Sequence, residues 1–226
     1  MAEFKMKDKT VYMEDLLKFL CSIYPLSERC QHYLRTIVKH RHLKKGEIIL
    51  RPGQIDRYMS YVEKGLLRAY YLKKSGKEVT AWFMKTGDVI TDVSSFYDQV
   101  PSSKYIQVLE DTDIYYITFD ELEYVYNTFP EFDRIGRILI THYYKLWDSI
   151  RAAIIMQSAK ERYEWMMENN PELILRVSAK HIAAFLGITE VTLSKLKRKQ
   201  AEKTTAGGKP LKVESIKGDT RTKKAI

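Results

Sequence analysis

The chain has 226 residues, enough for one large domain or two smaller ones with a full core, and a formal net charge of +9. The excess is local: residues 176–226 hold 13 Lys or Arg against 4 Asp or Glu, while residues 1–175 hold 25 of each sign. A polyanion would therefore be drawn to the C-terminal end alone. No stretch of about 18 apolar residues can span a bilayer, and no signal-like run opens the sequence, so the expectation is a cytoplasmic protein with no membrane partner. Two cysteines, Cys21 and Cys30, cannot supply the four thiolates of an iron–sulfur cluster and read as buried free thiols in a reducing compartment.

Residues 12–24 place Leu16, Leu17, Leu20 and Ile23 on one helical face, and Pro25 stops that helix. Ser27 caps a second helix running to about Val38. From Leu43 the period changes. Runs rich in Val, Ile, Tyr and Leu alternate with turns at Gly46, Gly53, Gly65, Gly76 and Gly87, spaced 7 to 12 residues apart. This pattern predicts a compact antiparallel β-roll of about eight strands over 43–119, with no helix of ordinary length inside it.

Asp120 with Glu123 forms a capping box for a short helix ending near Asn127. Pro130 opens a long helix that meets no breaker except Gly136 before Met156, roughly 40 Å at 1.5 Å per residue. Along it Ile135, Leu139, His142, Leu146, Ser149 and Ala153 step by 4, 3, 4, 3 and 4, the a/d seam of a helix that pairs with a second copy; Ile138, Ile150 and Ile154 broaden the seam. Ser158 with Glu161 caps a new helix carrying Tyr163, Trp165, Met166 and Met167, so the boundary between a domain 1–157 and a domain 158–200 falls near Gln157.

Residues 178–199 read as two short helices about a tight turn. Ser178 and Thr189 stand at the two starts, Gly187 supplies the turn, and Ile182, Ala183, Leu186, Ile188, Leu193 and Leu196 face inward. Val191, Ser194, Lys195 and Arg198 then fall on the opposite face, which continues into Lys199. That is the arrangement of a DNA-reading helix-turn-helix, with an ordinary αα-hairpin as the plain alternative. The DNA-contacting set is Ser178, Thr189, Glu190, Val191, Thr192, Ser194, Lys195, Arg198 and Lys199. Residues 201–226 have few apolar residues and many Lys, Thr and Gly, which suits a mobile basic tail; a small β-wing at 211–216 is disfavoured.

A β-roll, a long helix with a dimer seam and a C-terminal helix-turn-helix resemble the Crp/Fnr (cyclic-AMP receptor protein/fumarate–nitrate regulator) family of bacterial transcription factors. The resemblance covers residues 20–199 and is carried by KKGEIILRPG, YVEKGLLRAYY, FMKTGDVI, SAKERY and the helix pair. It implies an α+β fold with a cyclic-nucleotide-binding-like (cupin-like) roll, a dimerisation helix over 130–156, a homodimer on a double-stranded DNA operator, and contact with RNA polymerase. In relatives that bind cyclic nucleotides, a Gly-Glu pair is followed about ten residues on by an Arg that neutralises the phosphate. Here the matching stretches are Ile90-Thr91-Asp92-Val93 and Pro101-Ser102-Ser103-Lys104, so Ser102 stands at the arginine position. Loss of that charge-assisted contact argues against cyclic AMP. The pocket candidates are Thr91, Asp92, Val93, Ser102 and Ser103, holding an unidentified small effector or none. Lys104, in a strand, would point to the other side. The reading helix also departs from the family's Arg-Glu-x-x-x-Arg, showing Glu190-Val191-x-x-x-Lys195.

These observations favour a dimeric sequence-specific regulator whose roll senses a signal. The alternative is a small-ligand sensor acting through a protein partner. An enzyme is not expected: GxSxG, HExxH and a Gly-rich phosphate loop are all absent, and the five histidines (His32, His40, His42, His142, His181) form no metal-ligand pattern.

Overall fold

The computed structural model describes residues 3–205, so the disfavoured β-wing and nearly all of the tail lie outside the described residues. These residues fall into two compact units, divided between Ile155 and Met156.

The first unit opens with α1 (Glu3–Ile23), which buries Met13, Leu16, Leu17 and Leu20. Helix α2 (Glu28–Ile37) follows; Ser27 is its cap, accepting the Cys30 N–H, as the sequence predicts. Both cysteines are free, and burial pushes the Cys30 thiol up to about 12. The roll is one antiparallel sheet of six strands, in the order β1 (Lys39–Leu43), β6 (Tyr105–Thr118), β3 (Tyr58–Leu72), β4 (Glu78–Lys85). Strand β2 (Ile48–Leu50) also pairs with β6, and β5 (Val89–Ile90) with β3. Leu43, Leu50, Val62, Leu67, Ile106 and Val108 fill its interior.

The count is six rather than eight because β3 and β6 are continuous, 15 and 14 residues long. Gly65 does not end a strand. It bends β3 at φ +130°, in a stretch where the register against β6 shifts repeatedly. A Cβ there would sit 2.2 Å from Thr112 Oγ1 and 2.7 Å from the Thr112 Cα, so glycine admits a bulge where the sequence pattern suggested a turn.

The roll also contains a helix the sequence did not reveal, α3 (Val93–Asp98), closed by Gln99 in the left-handed region at φ 52°. Helix α4 (Phe119–Thr128) starts earlier than the predicted Asp120 cap. The capping box is Thr118 with Glu121, each side chain bonding the other's backbone N–H. The strand delivers Thr118 in extended backbone, φ −80° and ψ 167°, and the first residue able to cap takes the role.

The long helix α5 (Pro130–Met156) runs 27 residues as predicted. Its first turns complete an apolar core shared with α1, α2 and α4, where Leu34, Phe96, Leu122, Phe132 and Ile135 are nearly inaccessible. The Ser27 hydroxyl, already the α2 cap, donates to Glu131 at 2.6 Å and ties α2 to the root of α5.

The second unit holds α6 (Ala159–Asn169), α7 (Pro171–Arg176), α8 (Ala179–Leu186) and α9 (Glu190–Thr205). Tyr163, Met166, Leu173, Ile182, Leu186 and Leu193 form its core. The Ser158–Glu161 capping box is present. Helix α7 was not foreseen, although Pro171 at its first position is a start signal. Among the described residues no helix is long and apolar enough to cross a membrane.

Candidate functional site

Two features of the molecule are shaped to meet other molecules, one in each unit. In the first unit a cleft of about 520 Å³ opens between the roll and α5. Strands β3 and β4 contribute Met59, Ala69, Ala81, Trp82 and Met84; α5 contributes Gly136, Leu139, Ile140, Tyr143, Tyr144 and Trp147. Its size lies within the usual range for small-molecule sites, roughly 300–1,000 Å³.

One end is polar and buried. Asp92 is only 4 % exposed. Its carboxylate accepts the Ser102 hydroxyl at 2.6 Å and pairs with the Lys104 ammonium. Asp56 stands behind it, accepting the Asp92 N–H at 2.7 Å and the Thr91 hydroxyl at 3.3 Å. Burial drives the Asp56 carboxyl above the usual carboxylate range, and N–H bonds from Asp92 and Tyr58 hold it partly back. Because the Asp92 carboxylate is fully engaged with Ser102 and Lys104, it makes no side-chain cap on α3 although it stands at the cap position.

Of the predicted pocket residues, Thr91, Asp92 and Val93 line the cleft. Ser102 sits behind Asp92, buried, and Ser103 is exposed and does not line it. Lys104 corrects the expectation that it would point away. It precedes β6 rather than lying in it, so strand alternation does not apply, and its ammonium reaches Asp92. The sequence reading missed the aromatic wall altogether: Trp82 and Trp147 are near-parallel, 15° apart with centroids 6.2 Å apart. They lie 65 positions apart in the chain, and no local signal joins them.

The α5 side of the cleft is held in place by Tyr143. Its hydroxyl accepts the Val89 N–H at 2.8 Å and bonds the Asp88 carboxylate. Burial raises the Tyr143 hydroxyl to about 12, with the Asp88 charge adding to it, and burial likewise raises Asp88. The predicted seam divides. Ile135 and Leu139 pack on the core of their own chain, His142 and Ser149 are exposed, Leu146 is half-buried, and Ala153 is buried. Exposed apolar side chains on α5 are Ile138, Ile140, Tyr144, Trp147, Ile154, Ile155 and Met156.

In the second unit α8 and α9 meet across Gly187, which is left-handed at φ 67°, and the Ile188 N–H returns to the Ala183 carbonyl at 3.0 Å. Ser178 caps α8 by accepting the His181 N–H, and Thr189 caps α9 by accepting the Thr192 N–H at 3.1 Å. Thr192 turns its hydroxyl to Thr189 at 2.9 Å. These three predicted contact residues therefore already serve the helix starts. Glu190, Val191, Ser194, Lys195, Arg198 and Lys199 are all exposed, while Leu193 beneath them is fully buried. A basic, solvent-facing helix thus stands on a rigid support.

Residues 40–129 match the cyclic nucleotide-binding domain family. The chain is 24% identical over 192 residues to the regulatory protein HlyX of Actinobacillus pleuropneumoniae, covering 78% of each. It superposes on FixK2 from Bradyrhizobium japonicum with TM-score 0.64 at 18% identity, over 74% of this chain and 86% of that one. A Eubacterium rectale protein described as a transcriptional regulator of the Crp/Fnr family gives TM-score 0.63 at 19% identity, over 80% and 88%. Residues 40–129 thus carry a cyclic nucleotide-binding domain, and the chain shares its fold with regulators of the Crp/Fnr kind. Within the matched domain the Asp92–Ser102–Lys104 cluster is closed on itself, and the position where the sequence resemblance implies an arginine holds Ser102. HlyX is described as a regulatory protein and the Eubacterium rectale protein as a transcriptional regulator; among the described residues no group of three or more His, Cys, Asp or Glu is arranged to hold a metal ion.

Proposed function

We propose that this chain is a dimeric, sequence-specific DNA-binding transcriptional regulator. In this reading α8 and α9 are its helix-turn-helix, residues 158–200 its DNA-binding domain, and the roll a sensor for a small molecule other than cyclic AMP. The observation that carries it is the open face of α9, where Lys195, Arg198 and Lys199 project beside Glu190, Val191 and Ser194 over a buried Leu193. The N-terminal end of such a helix enters the major groove, and its cations meet phosphates and guanine edges. Two copies paired along α5 through His142, Leu146, Ser149 and the flanking Ile138 would present two such helices to a two-fold symmetric operator. The DNA and the second copy are the partners, with RNA polymerase as the machinery the bound dimer would act on.

Selection from a pool of random duplexes, followed by gel-shift titration at several salt concentrations, tests this. A single preferred sequence with two-fold symmetry is expected, its affinity falling steeply with salt. The double variant Lys195→Ala/Arg198→Ala should lose that sequence preference, and the salt slope should drop by about one for each phosphate contact removed. Selection that returns no consensus, from a chain that stays dimeric, would turn the reading toward a sensor that works through a protein partner.

A further inference from the structure

The cleft in the first unit carries a statement about what fills it, resting on the sensor reading above. Its lining contains four charged side chains, Asp92, Lys104, Asp148 and Arg151. They are two acids and two bases, so the site as a whole is neutral. At the buried end the balance is settled pairwise: the Lys104 ammonium is bound to Asp92, and Ser102 donates to that same carboxylate. An anion held here would compete with Asp92 for the Lys104 ammonium and lie beside a carboxylate that is 4 % exposed, which low-dielectric surroundings penalise. A cation would meet Lys104. At the open rim Asp148 and Arg151 lie three residues apart on α5 and offer one charge of each sign.

The rest of the lining is apolar and aromatic. Trp82 from β4 and Trp147 from α5 present near-parallel rings, and Trp147 is half exposed, so a ring surface stands open at the mouth. Tyr97, Tyr126 and Tyr143 contribute further aromatic wall. Flat π faces favour a flat ligand, stacked against them. We infer that the cleft binds an uncharged, planar aromatic molecule, stacked on the open face of the Trp147 ring and hydrogen-bonded at its inner end by the Thr91 hydroxyl and the Lys104 ammonium. The ligand so joins the roll to the helix that pairs the two copies.

The test compares two probes with one ring system, 2-naphthamide and 2-naphthoate, by calorimetric titration of the full chain, with cyclic AMP as a third. The neutral amide is expected to saturate at one molecule per chain. The carboxylate should bind about tenfold more weakly or worse, and cyclic AMP should give no heat. Trp147→Ala removes a half-exposed ring and should weaken the amide about tenfold with the circular dichroism unchanged. Ala81→Trp, which fills the cleft from β4, should abolish binding. Equal or tighter binding of the carboxylate overturns the neutrality argument, and full affinity in Trp147→Ala overturns the stacking. Amide binding that vanishes as the chain self-associates assigns the cleft to a second copy instead and also overturns the proposal. None of these outcomes alters the operator selection above, so failure here and failure of the DNA-binding reading are separable.

Discussion

Gly136 gives a prediction whose sign depends on one neighbour. In an ordinary helix interior, Gly→Ala stabilises by about 1 kcal/mol because the unfolded chain loses freedom. Here an added Cβ would lie 2.6 Å from Tyr126 Oη, 2.7 Å from its Cε1 and 2.9 Å from its Cζ. The Tyr126 ring is fixed against Phe132, with centroids 5.6 Å apart, and its hydroxyl is bonded to Tyr97. Overpacking of this kind costs about 1–3 kcal/mol, more than the helix gains. Gly136→Ala should therefore destabilise the chain by about 1–2 kcal/mol, read from urea denaturation followed by circular dichroism. In a Tyr126→Leu background the same substitution should reverse sign and stabilise by about 1 kcal/mol, since the wall is gone. A stabilising Gly136→Ala with Tyr126 intact would show that the ring swings freely into the cleft, and the reasoning would fail.

Tyr143→Phe should cost about 1–3 kcal/mol in the same assay, because the Val89 N–H loses its acceptor; an unchanged midpoint would mean that water takes the hydroxyl's place. The pH dependence of Asp56 follows from its raised carboxyl. A raised acid contributes stability below its unfolded value, and that contribution is lost as pH rises through the folded one, so ionised Asp56 is a burden at neutrality. Asp56→Asn should consequently compare more favourably with the parent at about pH 7 than at about pH 4; a difference that does not change with pH would refute the burial argument.

How far the fold could be read in advance depended on whether the deciding interaction was local. Ser27, Ser158, Ser178, Thr189 and Gly187 act on backbone groups within a few residues, and each stands where its chemistry indicated. Gly65 misled because a glycine that admits a bulge and one that makes a turn look alike until the facing residue, Thr112, is known. Helix α3 was hidden because it is six residues long, too short to show a helical period, and sits inside a run of strands. The heptad steps along α5 were legible, but not that Ile135 and Leu139 are consumed by the chain's own core. The same spacing serves a neighbour on the same chain or another one. The Trp82–Trp147 wall lay beyond reach for a related reason: neither residue's surroundings in sequence mention the other.

Arg162 has a consequence beyond its own helix. Its guanidinium donates to the Leu186 carbonyl at 2.9 Å, at the close of α8, and to the Gln157 carbonyl at 2.7 Å, just before α6. One planar fork thus bolts the front of the C-terminal unit to the hinge point of its helix pair. Helices fastened this way tilt together like the parts of a stiff plate. The basic surface of α9 is mounted on that plate, so its cations keep their places relative to α6 and α8.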